Sequence, residues 1–178
     1  MHPDQPFPGV VGLRASREVP TLVFKSVFQT LAFAGYPRIS VQTVGSVQPI
    51  FSLDAQVPAP PDPNASIEPR PPEKVLHLFT GEELSLVWKQ GSVVVAETKL
   101  PSPDLLAGAI CKEWTESGSH RDPGDLVPDQ LVLHANDKMA FHEIVASLDA
   151  AQHCTRDFRG AGGALEKRPA FNVTFSIR

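Results

Sequence analysis

A proline-dense segment limits the architectures open to this chain. Residues 57–72 read VPAPPDPNASIEPRPP and combine prolines with polar side chains. Each proline fixes φ and removes a backbone donor, so neither a helix nor an interior strand is expected to continue through the segment. It predicts a semi-rigid linker or a long surface loop over 57–74. The chain is thereby divided into a short block, 1–56, and a longer block, 75–178.

Length and charge restrict the class of protein. The 178 residues allow one domain, or one domain and a fragment of another, with a core of its own. The formal net charge is −4 at pH 7, and the basic residues are scattered along the chain. Because a nucleic-acid-binding face concentrates basic residues, no nucleic-acid partner is expected. No stretch approaches the ~20 apolar residues of a membrane helix.

The short block predicts a strand–helix–strand unit. Residues 9–15 form a short apolar run, and residues 38–44 alternate apolar and polar residues as a half-buried strand does. Gly35 and Pro37 mark the end of a helix between them. The apolar positions of this helix recur at helical spacing, at Phe24, Val27, Phe28 and Leu31. Two parallel strands joined by a crossing helix are expected, and they should lean on the longer block.

The longer block begins with a predicted hairpin and helix. Apolar runs over 84–88 and 92–96 flank Gly91, which suits the turn. Ser102 is a candidate N-cap for a helix over 103–116. The buried stripe of this helix is marked by Leu106, Ile110 and Trp114.

A strand, a second helix and a last strand follow. Residues 130–135 predict a strand, and the apolar stripe of the helix over 140–152 consists of Phe141, Ile144, Val145 and Leu148. Residues 159–169 predict a glycine-rich loop, and residues 171–177 alternate as a strand does. The fold class is therefore α+β: a mixed sheet with two helices on one face, plus the N-terminal strand–helix–strand unit.

The two blocks resemble each other at a constant offset. Residues 13–19 (LRASREV) align without gaps with residues 133–139 (LHANDKM), an offset of 120, which is 133 minus 13. At the same offset Phe24 aligns with Ile144. The alignment predicts an internal repeat of strand, polar turn, helix and strand, although a chance likeness of two amphipathic units is the alternative.

The order hairpin, helix, strand, polar turn, helix, strand is similar to that of the ExbD/TolR family. Residues 131–141 (LVLHANDKMAF) resemble the strand and turn that lead into the second helix of the family. Residues 144–151 (IVASLDAA) resemble that helix. The resemblance covers nearly all of 75–178, and it covers 9–44 as half a unit.

This resemblance implies a non-enzymatic periplasmic domain of an accessory subunit in a proton-motive-force-driven envelope motor. The full-length protein would be anchored in the inner membrane, and the domain would relay conformational change to an envelope partner. Partners would be an envelope protein or a second copy, bound by strand-edge pairing, with a homodimer as one form. The motor channel subunit would be reached through a membrane helix that is absent from this chain. The alternative is a motor-independent scaffold or adaptor with the same fold.

Strand-edge pairing requires exposed strands, because backbone hydrogen bonds hold the partner and alternate side chains give selectivity. Residues 83–96 and 171–177 are the candidate docking strands. The candidate partner-binding residues are Trp88, Val93, Val95, Phe171, Val173 and Phe175. Trp88 is equally compatible with a core position.

No motif for catalysis, for a cofactor or for a metal is found. The six histidines form neither HxH nor HExxH, and no CxxC is present. The glycines near Gly160 lack the Lys-Ser/Thr of a phosphate-binding loop. The sequence therefore predicts no enzyme, no cofactor and no metal. Cys111 and Cys154 are expected to be free thiols, Cys111 buried and Cys154 the more reactive, with a disulfide as the alternative.

Overall fold

A computed structural model describes residues 10–34, 36, 38–43, 51–54, 73–81, 83–160 and 162–176. Within them the fold is mixed α+β, with three α-helices and a multi-strand mixed sheet. The short block contains β1 (Val10–Ala15), α1 (Thr21–Phe33), β2 (Arg38–Thr43) and β3 (Phe51–Asp54). The longer block contains β4 (Lys74–Thr80), β5 (Leu84–Gln90), β6 (Val93–Leu100), α2 (Leu106–Ser117), β7 (Asp129–Ala135), α3 (Phe141–His153), β8 (Thr155–Arg159), β9 (Leu165–Pro169) and β10 (Phe171–Phe175).

The main sheet has five strands in the order β10-β7-β4-β5-β6. Strands β4, β7 and β10 are parallel, whereas β5 and β6 form an antiparallel hairpin. Its central strand, β4, was not predicted. The sequence prediction ended the linker at residue 74, but Lys74 is already the first residue of β4. The proline-dense segment just before it, at 57–72, lies outside the described residues.

Both helices of the longer block cover the same face of this sheet. The completely buried residues of β4 and β7 include Leu76, Leu78, Leu131 and Leu133. They form one apolar cluster with the buried stripes of α2 and α3, which are Leu106, Ile110, Ile144 and Leu148. The alternate strand positions, Val75, His77, Phe79, Val132 and His134, point to the opposite face and are half-buried. The predicted helices over 103–116 and 140–152 therefore lie on one face, as expected.

The segment after α3 differs from the prediction. Residues 159–169 were expected to form a loop, but most of them belong to a separate hairpin of β8 and β9. Its turn contains Gly163, whose φ of +78° favours glycine. All five side chains of β9 are exposed. A strand that buries no side chain has no apolar alternation, so the pattern could not reveal it.

The short block forms the predicted unit. β1 and β2 pair in parallel, and α1 connects them. β3, which was not predicted, pairs with β2 in the antiparallel sense. Residues 9 and 44, at the predicted strand ends, lie outside the described residues.

The 120-residue offset of the sequence repeat is also present in the structure. α1 spans residues 21–33 and α3 spans residues 141–153. Main-chain hydrogen bonds join the turns before them: Thr21 N–H to Met139 O (2.8 Å), Phe141 N–H to Val19 O (2.9 Å), Leu22 N–H to Asp137 O (3.1 Å) and His142 N–H to Arg17 O (3.1 Å). Adding 120 to the residue number in the short block and subtracting 120 from the residue number in the longer block turns each of these bonds into another of the four. The two turns are therefore related by an approximate two-fold axis, which a chance likeness would not require.

α1 shares the core of the longer block. The ring of Phe24, 2% exposed, lies 5.2 Å from the ring of Phe141 and 5.1 Å from that of Phe175, centroid to centroid. Beside it, the Lys25 ammonium donates to Asp137 Oδ1 at 2.7 Å. The short block thus leans on the longer one, as predicted.

We expect Phe24→Ala to lower the free energy of unfolding by ~3–5 kcal/mol, because a buried ring shared by both blocks is replaced by a cavity. Phe33→Ala is the matched control: it is on the same helix, but its side chain is 72% exposed. It should cost under ~1 kcal/mol. Urea unfolding measures both values. Equal costs for the two variants would show that α1 does not belong to the shared core.

Candidate functional site

The edge strand β6 is the most exposed apolar strand of the main sheet. In the described part of the chain, β6 pairs with β5 alone. Three consecutive valines begin it, Val93, Val94 and Val95, with exposed fractions of 63%, 55% and 51%. The register shifts between Trp88 and Lys89, a bulge that leaves Val95 without a direct partner.

Charged side chains protect only the second half of β6. Glu97 and Lys99 lie there, and Lys99 forms an ion pair with Glu83. Charges at an edge strand discourage pairing with another chain. The valine segment has no such protection, so it can accept a strand from a partner.

The structure separates the six candidate partner-binding residues. Val93 and Val95 are on the exposed edge, whereas Val173 is half-buried. Trp88, Phe171 and Phe175 are in the core, with exposed fractions of 1%, 4% and 8%. Trp88 is therefore no surface anchor, and its indole N–H donates to Glu113 Oε2 at 3.0 Å. The partner-binding role of the six stays a prediction, but these three rings are not available to a partner on the surface.

A second feature is a stacked cluster on the sheet face opposite the helices. His77 Nδ1 lies 2.8 Å from His134 Nε2, and the two rings stack with centroids 5.1 Å apart. Phe79 stacks on His134 at 4.4 Å, and Lys89 Nζ lies 5.3 Å from the Phe79 ring centroid. The sequence did not predict that His77 and His134 are in contact. Their contact depends on the pairing of β4 with β7, and β4 was not predicted.

Burial and nearby positive charge favour the neutral form of this histidine pair. Burial, together with the charges of His77, Lys89 and Lys25, lowers the pKa of His134 to about 4. Burial and Lys89 also lower the pKa of His77. In a short N···N hydrogen bond one nitrogen must accept, so at least that imidazole is deprotonated at it. Of the described residues, no group of three His, Cys, Asp or Glu side chains could hold a metal ion.

A cleft of about 510 Å³ lies at the carboxyl ends of β4 and β7. Carboxyl ends of parallel strands are a common place for ligands. Its walls include Thr80, Leu84, Leu106, Asn136, Met139, Glu143 and Ser147. The Ser147 hydroxyl donates to the Glu143 carbonyl, and the Thr80 hydroxyl lies within hydrogen-bond range of the His134 carbonyl and of Met139 Sδ. Both hydroxyls thus have partners within the chain, and the Glu143 carboxylate, which belongs to the same cleft wall, accepts from the Ala140 N–H at 2.8 Å.

The two cysteines meet where α2 packs on α3. Both are free thiols, as predicted, and their side chains are hydrogen-bonded to each other. The predicted order of burial is wrong: Cys154 is 1% exposed, whereas Cys111 is half-buried. Cys154 is the C-cap of α3, and the chain turns there into β8 inside the core. Burial and the neighbouring Cys111 raise the pKa of Cys154, which makes it the less reactive thiol.

We expect stability to fall as the pH drops from about 6.5 towards about 4. The pKa of His134 is lowered in the folded state from 6.5 to about 4, so the unfolded chain binds more protons in that window. His134→Gln should remove ~1–2 kcal/mol of this pH dependence, allowing for solvent screening at a half-exposed ring. Val132→Ala changes a residue on the same sheet face that does not titrate, so it should leave the pH dependence of the free energy of unfolding unchanged. Urea unfolding at several pH values measures this dependence. If His134→Gln has the same pH dependence as the parent chain, His134 is not its source.

We expect a thiol-reactive disulfide reagent to label one cysteine rapidly in the folded chain and two after denaturation. The rapid thiol should be Cys111, because it is the more exposed of the pair. Cys111→Ser should abolish the rapid phase, and Cys154→Ser should keep it. Rapid labelling of Cys154 in Cys111→Ser would contradict this order.

Comparison of the chain with protein-family models, with curated proteins and with solved structures gave no match in any of the three. Among the residues that the structure places, no helix is long and apolar enough to cross a membrane. The features of the molecule that bear on its function are the exposed edge, the histidine cluster and the cavities.

Proposed function

We propose that this chain is a non-enzymatic docking domain of an ExbD/TolR-like accessory subunit in a proton-motive-force-driven envelope motor. It relays a conformational change to an envelope protein, or to a second copy, by strand-edge pairing. The observation that carries the proposal is the exposed valine segment at the β6 edge of a sheet that α2 and α3 cover on one face. In this proposal the domain is periplasmic, and it is anchored through a membrane helix outside this chain.

Element order supports the proposal. The longer block runs hairpin, helix, strand, helix, strand in β5, β6, α2, β7, α3 and β10. This is the order on which the resemblance to the ExbD/TolR family rests, and α2 and α3 share one face as that resemblance implies. Two elements depart from it, the central strand β4 and the β8–β9 hairpin.

The chemistry of the chain favours binding over catalysis. The hydroxyls in the cleft lie against main-chain oxygens and Met139 Sδ, and the described contacts of the histidine cluster are with Phe79 and Lys89. A strand edge needs no reactive group, because backbone hydrogen bonds supply the affinity. In the proposed motor, the proton chemistry takes place on the membrane helix and the channel subunit.

The second candidate function is a motor-independent scaffold or adaptor. The half-repeat favours it, because α1 exposes Leu22, Val23 and Phe33 in addition to the β6 edge. A chain with two apolar surfaces could join two proteins without any motor.

Site-specific photo-crosslinking in living bacteria tests the proposal. A photoreactive amino acid is placed at Val93 or at Val95 on the β6 edge, in the full-length protein of the native host. The matched control carries it at Gln152, an exposed position on α3 away from the edge. We expect crosslinks to one envelope protein, or to a second copy, from the edge positions and not from Gln152.

Adding a protonophore separates the two candidate functions. A motor domain should lose or change its edge crosslinks when the proton gradient collapses, because its conformation depends on proton flow. Crosslinks that are indifferent to the protonophore would favour the scaffold. Equal crosslinking from Gln152 and from the edge would contradict docking at β6.

A further inference from the structure

The guanidinium of Arg156 on β8 is a buried positive charge. It is 3% exposed. Its two terminal nitrogens donate to main-chain carbonyls, Nη1 to His120 O at 3.2 Å and Nη2 to Asp125 O at 2.8 Å. Its Nε–H is buried without a hydrogen-bond partner. In the described ranges no carboxylate forms an ion pair with it, and a buried cation without a counter-charge is unfavourable.

A cavity of about 260 Å³ adjoins this arginine. Apolar side chains form most of its wall: Leu126, Pro128, Phe158, Pro169 and Phe171. Arg168 and Asn172 add two polar groups. The volume is below the ~300–1,000 Å³ of sites for drug-sized ligands, so a small ligand or the end of a chain would fit.

The cavity has an excess of positive charge. The Arg168 guanidinium stacks over Phe158, with its carbon 3.8 Å from the ring centroid. Its one carboxylate partner among the described residues is Glu166, at 3.0 Å. Two guanidinium groups thus line the cavity, and only that of Arg168 forms an ion pair with a carboxylate among the described residues. Arginine in a fixed plane is suited to recognising a carboxylate, and apolar walls strengthen that attraction.

We propose that this cavity binds a carboxylate carried by a small apolar group. The carboxylate lies against Arg168 and Asn172, within the field of the uncompensated Arg156. The apolar group packs on Phe158, Phe171 and Leu126. A phosphate fits less well, because most of the wall offers it no donors. The ligand is either a free organic acid or the carboxyl terminus of a peptide.

The proposal stands independently of the β6 edge and of the motor. The cavity is lined by β8, β9 and β10, whereas β6 is the opposite edge of the main sheet. Failure of carboxylate binding therefore leaves the crosslinking experiment valid, and the reverse also holds.

Calorimetric titration of the full chain with 3-phenylpropionate tests the site. We expect a Kd on the order of millimolar, as befits a fragment-sized ligand. The neutral analogue 3-phenylpropan-1-ol should bind at least ~10-fold more weakly, because it lacks the charge. Arg168→Gln, at an exposed residue, should weaken the acid ~5–10-fold without unfolding the chain. Arg159→Gln, on the same hairpin but outside the cavity, is the matched control and should bind as the parent does.

Peptides distinguish the two sources of the ligand. Acetyl-Ala-Ala-Phe with a free carboxylate is compared with the same peptide as an amide. Binding of the free-acid peptide but not of the amide supports a peptide terminus, whereas binding of phenylpropionate alone supports a small acid. In either case amide resonances of Asn172 should shift in nitrogen–proton NMR spectra. Equal binding of acid and alcohol, or an unaltered Kd in Arg168→Gln, would overturn the proposal.

Discussion

The structure depends on two helix N-termini that cap each other. The first N–H groups of any helix lack partners within it, and they need acceptors from elsewhere. α1 and α3 begin after Pro20 and Ala140, whose side chains make no capping hydrogen bond. The carbonyls of the other turn take that role instead, Met139 and Asp137 for α1, and Val19 and Arg17 for α3. Each helix start thus takes main-chain acceptors from the other block, which couples the two blocks.

The internal repeat also bears on which side chains of α1 remain exposed. Glu143 and Ser147 of α3 share the cleft with Leu106 at the start of α2. At the 120-residue offset, the corresponding positions of α1 are Val23 and Val27, which are 50% and 38% exposed. The described part of the first copy contains no counterpart of α2. α1 therefore exposes two valines at the positions where α3 carries the polar residues Glu143 and Ser147.

The sequence predicted the elements with strong local patterns. Helical spacing located α1 and α3, and the offset of 120 predicted an internal repeat, but the two-fold relation of the turns comes from the structure alone. β9 could not be found, because its side chains are all exposed. β4 follows the proline-dense segment, and without it neither the parallel sheet nor the contact of His77 with His134 could be derived. Of the six residues predicted to bind a partner, Val93 and Val95 are exposed, whereas Trp88, Phe171 and Phe175 are buried. The Arg156 cavity was not, because arginine is rarely buried and pattern analysis places it in solvent.

The two edges of the main sheet differ in what they offer a partner. β10 carries buried rings, Phe171 and Phe175, and β3 of the short block lies beside it. β6 has no neighbour in the described chain except β5, and three valines are exposed along it. Strand pairing is therefore easiest at β6. The β10 side instead offers a cavity with uncompensated positive charge, formed where the β8–β9 hairpin meets the sheet.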